Sequence, residues 1–355
     1  MLASKRIFCV ILCLIVLLSV PVFVCAEDDT SFTKGDFRFE ILEDKTLCVT
    51  EYTGESTVVT IPSEIDGRSV STVGDELFWY KGDITAVTLP ENAEYIGARV
   101  FQNCTSLTEI KLPDTVLEIG DACFLGCSNL TKINIPANLV YAGAFAFDET
   151  PWVTQFDGCT SIILGGRVFY KYLADNDKVV IPDGIVCISD NAFDGKGLSF
   201  VKIPDSVAFI GDYAFYNCKN LKEIKLPSGI YHIGENSLGM VAGASEVQPL
   251  KDFMIYADEG TLGADYAKMY DVEIKGTGEF TEPESLPEAE VCVPTAQIRD
   301  ADTSQNTVGL SQGAVIAIVL SIAGCVVIIG GITVVSHFYE KKRKKENKNI
   351  KKKKK

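Results

Sequence analysis

Through the middle of the chain, apolar and polar residues alternate in short runs that each end at a proline. In Glu109-Ile110-Lys111-Leu112-Pro113, Ile110 and Leu112 face one way while Glu109 and Lys111 face the other. Period two marks a half-buried strand. Proline ends it, having no N–H to give the ladder. An apolar residue followed by proline recurs at Pro62, Pro90, Pro113, Pro136, Pro182, Pro204 and Pro227, at intervals of 28, 23, 23, 46, 22 and 23. Seven residues after six of these prolines stands a small residue: Gly97, Gly120, Gly143, Ser189, Gly211 and Gly234. Eleven residues after them stands a large apolar one: Phe101, Phe124, Phe147, Phe193, Phe215 and Leu238. The glycine predicts a tight turn, at a position open to positive φ. The Ala-Phe pair predicts a short turn or helical piece that drives one ring per coil inward.

No single coil of this size buries its own apolar face, whereas stacked coils do, so the pattern predicts a solenoid held by nearest-neighbour contacts. Its unit, L-x-x-I-x-L-P-x-x-V-x-x-I-G-x-x-A-F-x-x-C-x-x-L, resembles that of the BspA-type leucine-rich repeats, from about Val58 to Leu238. The fold class implied is a β-rich leucine-rich-repeat solenoid of 23-residue coils, one strand plus a turn or short helix each, with caps at both ends. Residues 27–56 resemble an N-terminal cap with a hairpin from Phe37 to Tyr52. The solenoid is expected over 57–248 and a closing strand, short helix and strand over 249–275. Between Phe147 and Val180 the repeat lapses while its length is kept. Ser161–Leu164, Gly165-Gly166 and Arg167–Tyr172 read as a hairpin, so one coil is expected to be replaced by an insert at 149–180.

The two ends change the picture from a free solenoid to an anchored one. Lys5 and Arg6 precede an apolar run from Ile7 to Val24, and Val24 and Ala26 form a small-residue exit, so 1–26 reads as a signal peptide. From Ala314 to Ser336 no residue is charged, over 23 positions, and about 20 apolar residues span a bilayer. The basic tail 337–355 belongs on the cytoplasmic side, which places 27–313 outside. Residues 276–313, rich in Thr, Glu, Pro, Ser and Gln, read as a disordered stalk. The formal charge is −15; the tail holds +9 and the leader +2, leaving −26 for the part between. So acidic an ectodomain excludes nucleic acid as a partner, because that binding rests on basic neutralisation of phosphates.

Candidate chemistry is sparse. Outside the tail the one histidine is His232, and no phosphate-cradling glycine loop occurs. The sequence therefore predicts no enzyme, no cofactor and no metal site. Cys104, Cys127 and Cys218 share one repeat phase and Cys123 falls at the Ala position, which reads as small buried thiols or as disulfides between neighbouring coils. Cys292, in the expected stalk, reads as an exposed thiol able to link two chains. Five residues after six of the prolines stand Tyr95, Glu118, Tyr141, Cys187, Phe209 and His232. With Trp152, Tyr170 and Tyr172 of the insert, the aromatic members form a candidate ligand surface for protein or glycan recognition. The other reading is that they pack, half-buried, against the next coil. Family resemblance implies adhesion to host matrix proteins, fibronectin and fibrinogen among them, or to other cells. The alternative is an envelope scaffold, or a signalling receptor acting through its short basic tail.

Overall fold

The computed structural model describes residues 30–283 and 286. The expected leader 1–26, the span 314–336, the tail 337–355 and most of the expected stalk lie outside the described residues. No helix among the described residues is long and apolar enough to cross a membrane.

The described chain is a β-solenoid, but each coil contributes two short strands where the sequence suggested one. The first lies before the proline. Glu109–Ile110 pairs in parallel with Lys132–Ile133, and Lys178–Val180 with Phe200–Lys202. The second carries the Ile-Gly step: Tyr95–Ile96, Glu118–Ile119 and Tyr141–Ala142 stack in parallel, Glu118 opposite both Tyr95 and Tyr141. Proline ends the first ladder and the chain bends into the second, so one coil faces two sheets.

No helix follows in the repeats, because two residues per coil sit in the left-handed region. Glu76, Arg99, Ala122, Phe145, Asn191, Tyr213 and Asn236 occupy one such phase, with φ from 52° at Ala122 to 64° at Glu76. Asn103, Glu149 and Asn217 occupy the second, two residues beyond the inward ring or its partner. Successive reversals of this kind cut a helix after a single turn.

The recurring glycine is not among the positive-φ residues, which corrects the positive φ considered there. Its role is close approach. A Cβ on Gly120 would stand 2.5 Å from the Ala98 backbone nitrogen, and one on Gly143 would stand 2.6 Å from that of Asp121. The amide itself ties the coils together: Gly120 N–H donates to Ile96 at 2.8 Å and Gly143 N–H to Ile119 at 2.8 Å. Where the following residue is Asp, its Oδ1 accepts from the next coil, Asp75 from Ala98 N–H at 2.9 Å and Asp212 from Glu235 N–H at 2.7 Å.

One phenylalanine per coil builds the core. Phe78, Phe101, Phe124 and Phe147 stack with centroids 5.5, 5.2 and 5.6 Å apart. The column resumes as Phe169, Phe193 and Phe215 at 4.8 and 4.7 Å. Between the two halves lies the insert. A 3₁₀ turn, Pro151–Phe156, is capped by Thr150, whose hydroxyl accepts from Val153 N–H at 3.3 Å. A hairpin of Ser161–Leu164 and Val168–Tyr172 then turns through Gly165 and Gly166, both at positive φ. Its second strand pairs in parallel with Cys187–Ile188 and so carries the sheet onward. Antiparallel strands Ser31–Lys34, Phe37–Ile41 and Leu47–Tyr52 close one end. Strand Met254–Tyr256, helix Leu262–Met269 and strand Glu273–Lys275 close the other.

Candidate ligand-binding surface

The aromatic residues nominated by the sequence fall into two sets, and neither forms an open column. Tyr95, Glu118 and Tyr141 lie side by side in the second ladder, half-buried. Burial, then the charges of Glu118 and Glu94, hold the Tyr95 hydroxyl well above its usual range. Burial pushes the Glu118 carboxyl up to about 8. Cys187, Phe209 and His232 continue the ladder beyond the hairpin, with Cys187 and Phe209 buried. Tyr141 reaches across the insert to this second group. Its ring meets Phe209 edge-on at 5.2 Å, and its hydroxyl donates to Asp190 Oδ2 at 3.0 Å. His232 stacks on the other side of Phe209 at 4.3 Å, and burial lowers its basicity against the opposing pull of Asp212.

The insert aromatics are core, which corrects their expected exposure. Trp152 is 1% exposed, wedged 4.9 Å from Phe147 and 5.3 Å from Phe156. Tyr170 meets Phe147 edge-on at 5.6 Å, donates to Asp148 Oδ1 at 3.0 Å and accepts from Phe147 N–H at 3.2 Å. Tyr172 packs 5.3 Å from Phe193, with the Lys196 ammonium 5.7 Å above its ring. These rings bridge a column that would otherwise break where the repeat lapses. Of the nominated surface, then, only Tyr95, Tyr141 and His232 retain partial exposure.

A cleft of about 150 Å³ opens beside the hairpin, lined by Phe145, Asp148, Tyr170, Lys171, Asp190 and Asp194 among others. Lys171 Nζ holds Asp148 Oδ2 at 2.6 Å. Asp190 is buried, and desolvation together with the Asp121 and Asp212 charges pushes its carboxyl up to about 7. The cleft is small beside the roughly 300–1,000 Å³ of typical ligand pockets. Among the described residues no group of three or more His, Cys, Asp or Glu is placed to hold a metal ion. Cys48, Cys104, Cys123, Cys127, Cys187 and Cys218 are all buried. Burial pushes the Cys127 and Cys218 thiols up to about 12, away from nucleophilic use.

The rings that do face solvent were not nominated. Trp79 is 46%, Tyr80 64% and Phe145 50% exposed, on the turn edge of the coils. Trp79 and Tyr80 meet edge-on at 4.9 Å, and Trp79 Nε1 donates to Gln102 Oε1 at 3.0 Å. Tyr80 and Phe145 sit at the left-handed positions, φ 58° and 57°. The signal for them was the phase: Trp79 and Tyr80 stand one and two residues after the inward Phe78, and Phe145 stands two before Phe147.

The profile of the BspA type leucine rich repeat region matches residues 71–172 and 162–251, in six copies. No curated protein matches the chain in sequence. Solved structures resemble the chain at low identity. A leucine rich cell surface protein from Faecalibacterium prausnitzii is 19% identical over 69% of this chain and 95% of its own, with TM-score 0.26. A leucine-rich repeat protein from Bacteroides ovatus is 21% identical over 69% and 67%, with TM-score 0.33. The T. pallidum leucine rich repeat protein is 23% identical over 63% and 80%, with TM-score 0.27. Likenesses this distant carry no argument about a ligand.

Proposed function

The chain belongs to the BspA-type leucine-rich-repeat family, and from that premise we propose that it is a non-catalytic binding protein of the cell surface. The observation that carries this reading is the turn edge, where Trp79, Tyr80 and Phe145 expose large rings while the inward rings Phe78 and Phe147 of those coils are buried. Rings held out on rigid coils lose little conformational freedom on contact, and such residues anchor recognition surfaces. The partner class is an extracellular protein or glycan. Residues 314–336 would anchor the chain by a single span, with the solenoid outside and the tail 337–355 in the cytoplasm.

The test is binding of residues 27–313 to a panel of matrix proteins and glycans, at low and at high salt. Saturable binding that weakens at least tenfold in Trp79→Ala/Tyr80→Ala or Phe145→Ala, with unchanged thermal midpoint, supports the reading. Binding that survives these changes but fails in Tyr141→Ala moves the site to the ladder face. No saturable binding to any member of the panel by folded protein counts against recognition of these ligand classes.

A further inference from the structure

Beyond strand Glu273–Lys275 the chain folds back onto the pre-proline ladder. The turn Thr277–Glu279 is pinned by Asp258, whose Oδ1 accepts from Thr277 N–H at 3.1 Å and from its hydroxyl at 2.7 Å. Phe280 follows with extended backbone, φ −74° and ψ 133°. Its ring meets Tyr256 edge-on at 4.9 Å and lies nearly parallel to Phe200 at 6.2 Å. The Lys225 ammonium stands 6.0 Å from the centre of the same ring. Two residues on, and so on the same side of an extended chain, the Glu282 carboxylate meets Lys202 Nζ at 2.8 Å. Composition assigns Phe280 and Glu282 to the stalk, whereas they lie on the coils.

The surface under this segment differs from the same ladder elsewhere. Four and two residues before the proline, other coils carry Glu109, Lys132, Thr88 and Lys111, all exposed. Phe200 takes the first of these phases, and Tyr256 pairs with Lys225 at the second. Both rings are buried, with Phe280 against them. The hold on the segment is light. Among the described residues, 281 and 282 make no backbone hydrogen bond to the coils. Lys202 and Glu282 are 43% and 41% exposed, and an ion pair so open to water holds weakly.

We propose that Phe200, Lys202, Lys225 and Tyr256 form a peptide-binding shelf for an extended acidic peptide with an aromatic residue two positions before a carboxylate, and that Phe280-Thr281-Glu282 is its resident occupant. The seated segment shows the chemistry. Tyr256 and Phe200 take the aromatic anchor, Lys225 adds a cation to its ring, and Lys202 takes the carboxylate. Alternate side chains of an extended chain give the selectivity, and the two lysines disfavour a basic peptide. A partner enters only where the resident segment has left, so its apparent affinity is reduced by the fraction of chains with an open shelf. These residues are separate from Trp79, Tyr80 and Phe145, so the shelf is a second recognition surface.

The test uses the purified full chain and a fluorescein-labelled peptide of residues 277–283, read by fluorescence anisotropy. Phe280→Ala/Glu282→Ala empties the shelf, and this variant should bind the peptide saturably, at least tenfold more tightly than wild type. A peptide with alanine in place of its phenylalanine should not bind. Adding Lys202→Glu to the emptied variant should weaken binding at least tenfold. Glu282→Lys keeps the Phe280 ring seated, guarding against loss of fold, and should raise affinity at least threefold over wild type. Trp79→Ala/Tyr80→Ala should leave the peptide's affinity unchanged. No saturable binding to the emptied variant, equal binding to wild type, or indifference to Lys202→Glu overturns the proposal. So does no gain in Glu282→Lys, or a loss in Trp79→Ala/Tyr80→Ala, which would assign the peptide to the turn edge.

Discussion

The Cys127 thiol donates to the carbonyl oxygen of Phe101 in the preceding coil, 3.0 Å away. Cys104 does the same to Phe78 at 3.2 Å, and Cys218 to Phe193 at 3.1 Å. The repeated cysteine is thus a small second donor to the carbonyl of the inward ring, which also accepts a backbone N–H, as Phe101 does from Cys104 at 2.9 Å. Alanine would remove this second donor and leave the oxygen with its backbone partner alone. Because burial holds these thiols protonated far above neutral pH, iodoacetamide at pH 8 should leave Cys104, Cys127 and Cys218 unlabelled in the folded protein. The same reagent in denaturant should label all three. Rapid native labelling of Cys127, followed by peptide mapping, would contradict the packing described.

Phe124 stands in the middle of the first ring column, 5.2 Å from Phe101 and 5.6 Å from Phe147, and is fully buried. Truncating a buried aromatic removes its transfer energy and leaves a cavity, about 3–5 kcal/mol in all. Phe124→Ala should lower the denaturation midpoint by that amount. Since each coil touches only its neighbours, amide exchange should accelerate first in the coils that carry Phe101 and Phe147. A shift below about 1 kcal/mol would place the ring outside the core.

Two residues in one coil should respond oppositely to a single methyl group. Gly120→Ala drives a Cβ to 2.5 Å from the Ala98 nitrogen. Separating the coils to admit it should cost about 1–3 kcal/mol. Ala122 instead sits at φ 52°, a conformation that costs an L-residue about 1–2 kcal/mol. Ala122→Gly relieves it, offset in part by the greater entropy of glycine in the unfolded chain. The net is a gain of up to about 1 kcal/mol. Thermal melts of the two variants should therefore move in opposite directions.

Repeat length, register and the inward ring were legible in the sequence because each is a periodic demand, made again in every coil. The reason for Gly120 was not, since a positive φ and a close approach between coils leave the same residue behind. The fate of Tyr141 was hidden for a different cause. Its phase matches Tyr95, but the next coil is replaced by the hairpin, and the ring reaches Phe209 and Asp190, the latter 49 positions along the chain. Trp152 and Tyr170 looked like surface because no repeat governs them. They are core because the ring column has to cross the gap. Trp79 and Phe145 were overlooked because they are outward residues at positions that are polar in most coils.

Asp190 makes the fold sensitive to pH. Its carboxyl is buried, accepts from Tyr141 and from Asp212 N–H at 2.8 Å, and is raised from 3.8 to about 7 by desolvation and by Asp121 and Asp212. In the unfolded chain the group loses its proton near its ordinary value, while in the folded chain it keeps it. The stability so linked is complete below about pH 4 and is lost as pH rises through about 7. Within that window one group tilts stability by up to about 1.4 kcal/mol per pH unit. Urea unfolding should therefore give a higher midpoint at pH 5 than at pH 7.5. Asp190→Asn keeps an oxygen to accept from Asp212 N–H but removes the titration, so its two midpoints should draw together. If wild type and Asp190→Asn show the same difference between the two pH values, the dependence arises from other carboxylates, and Asp190 ionises in the fold as freely as it does outside it.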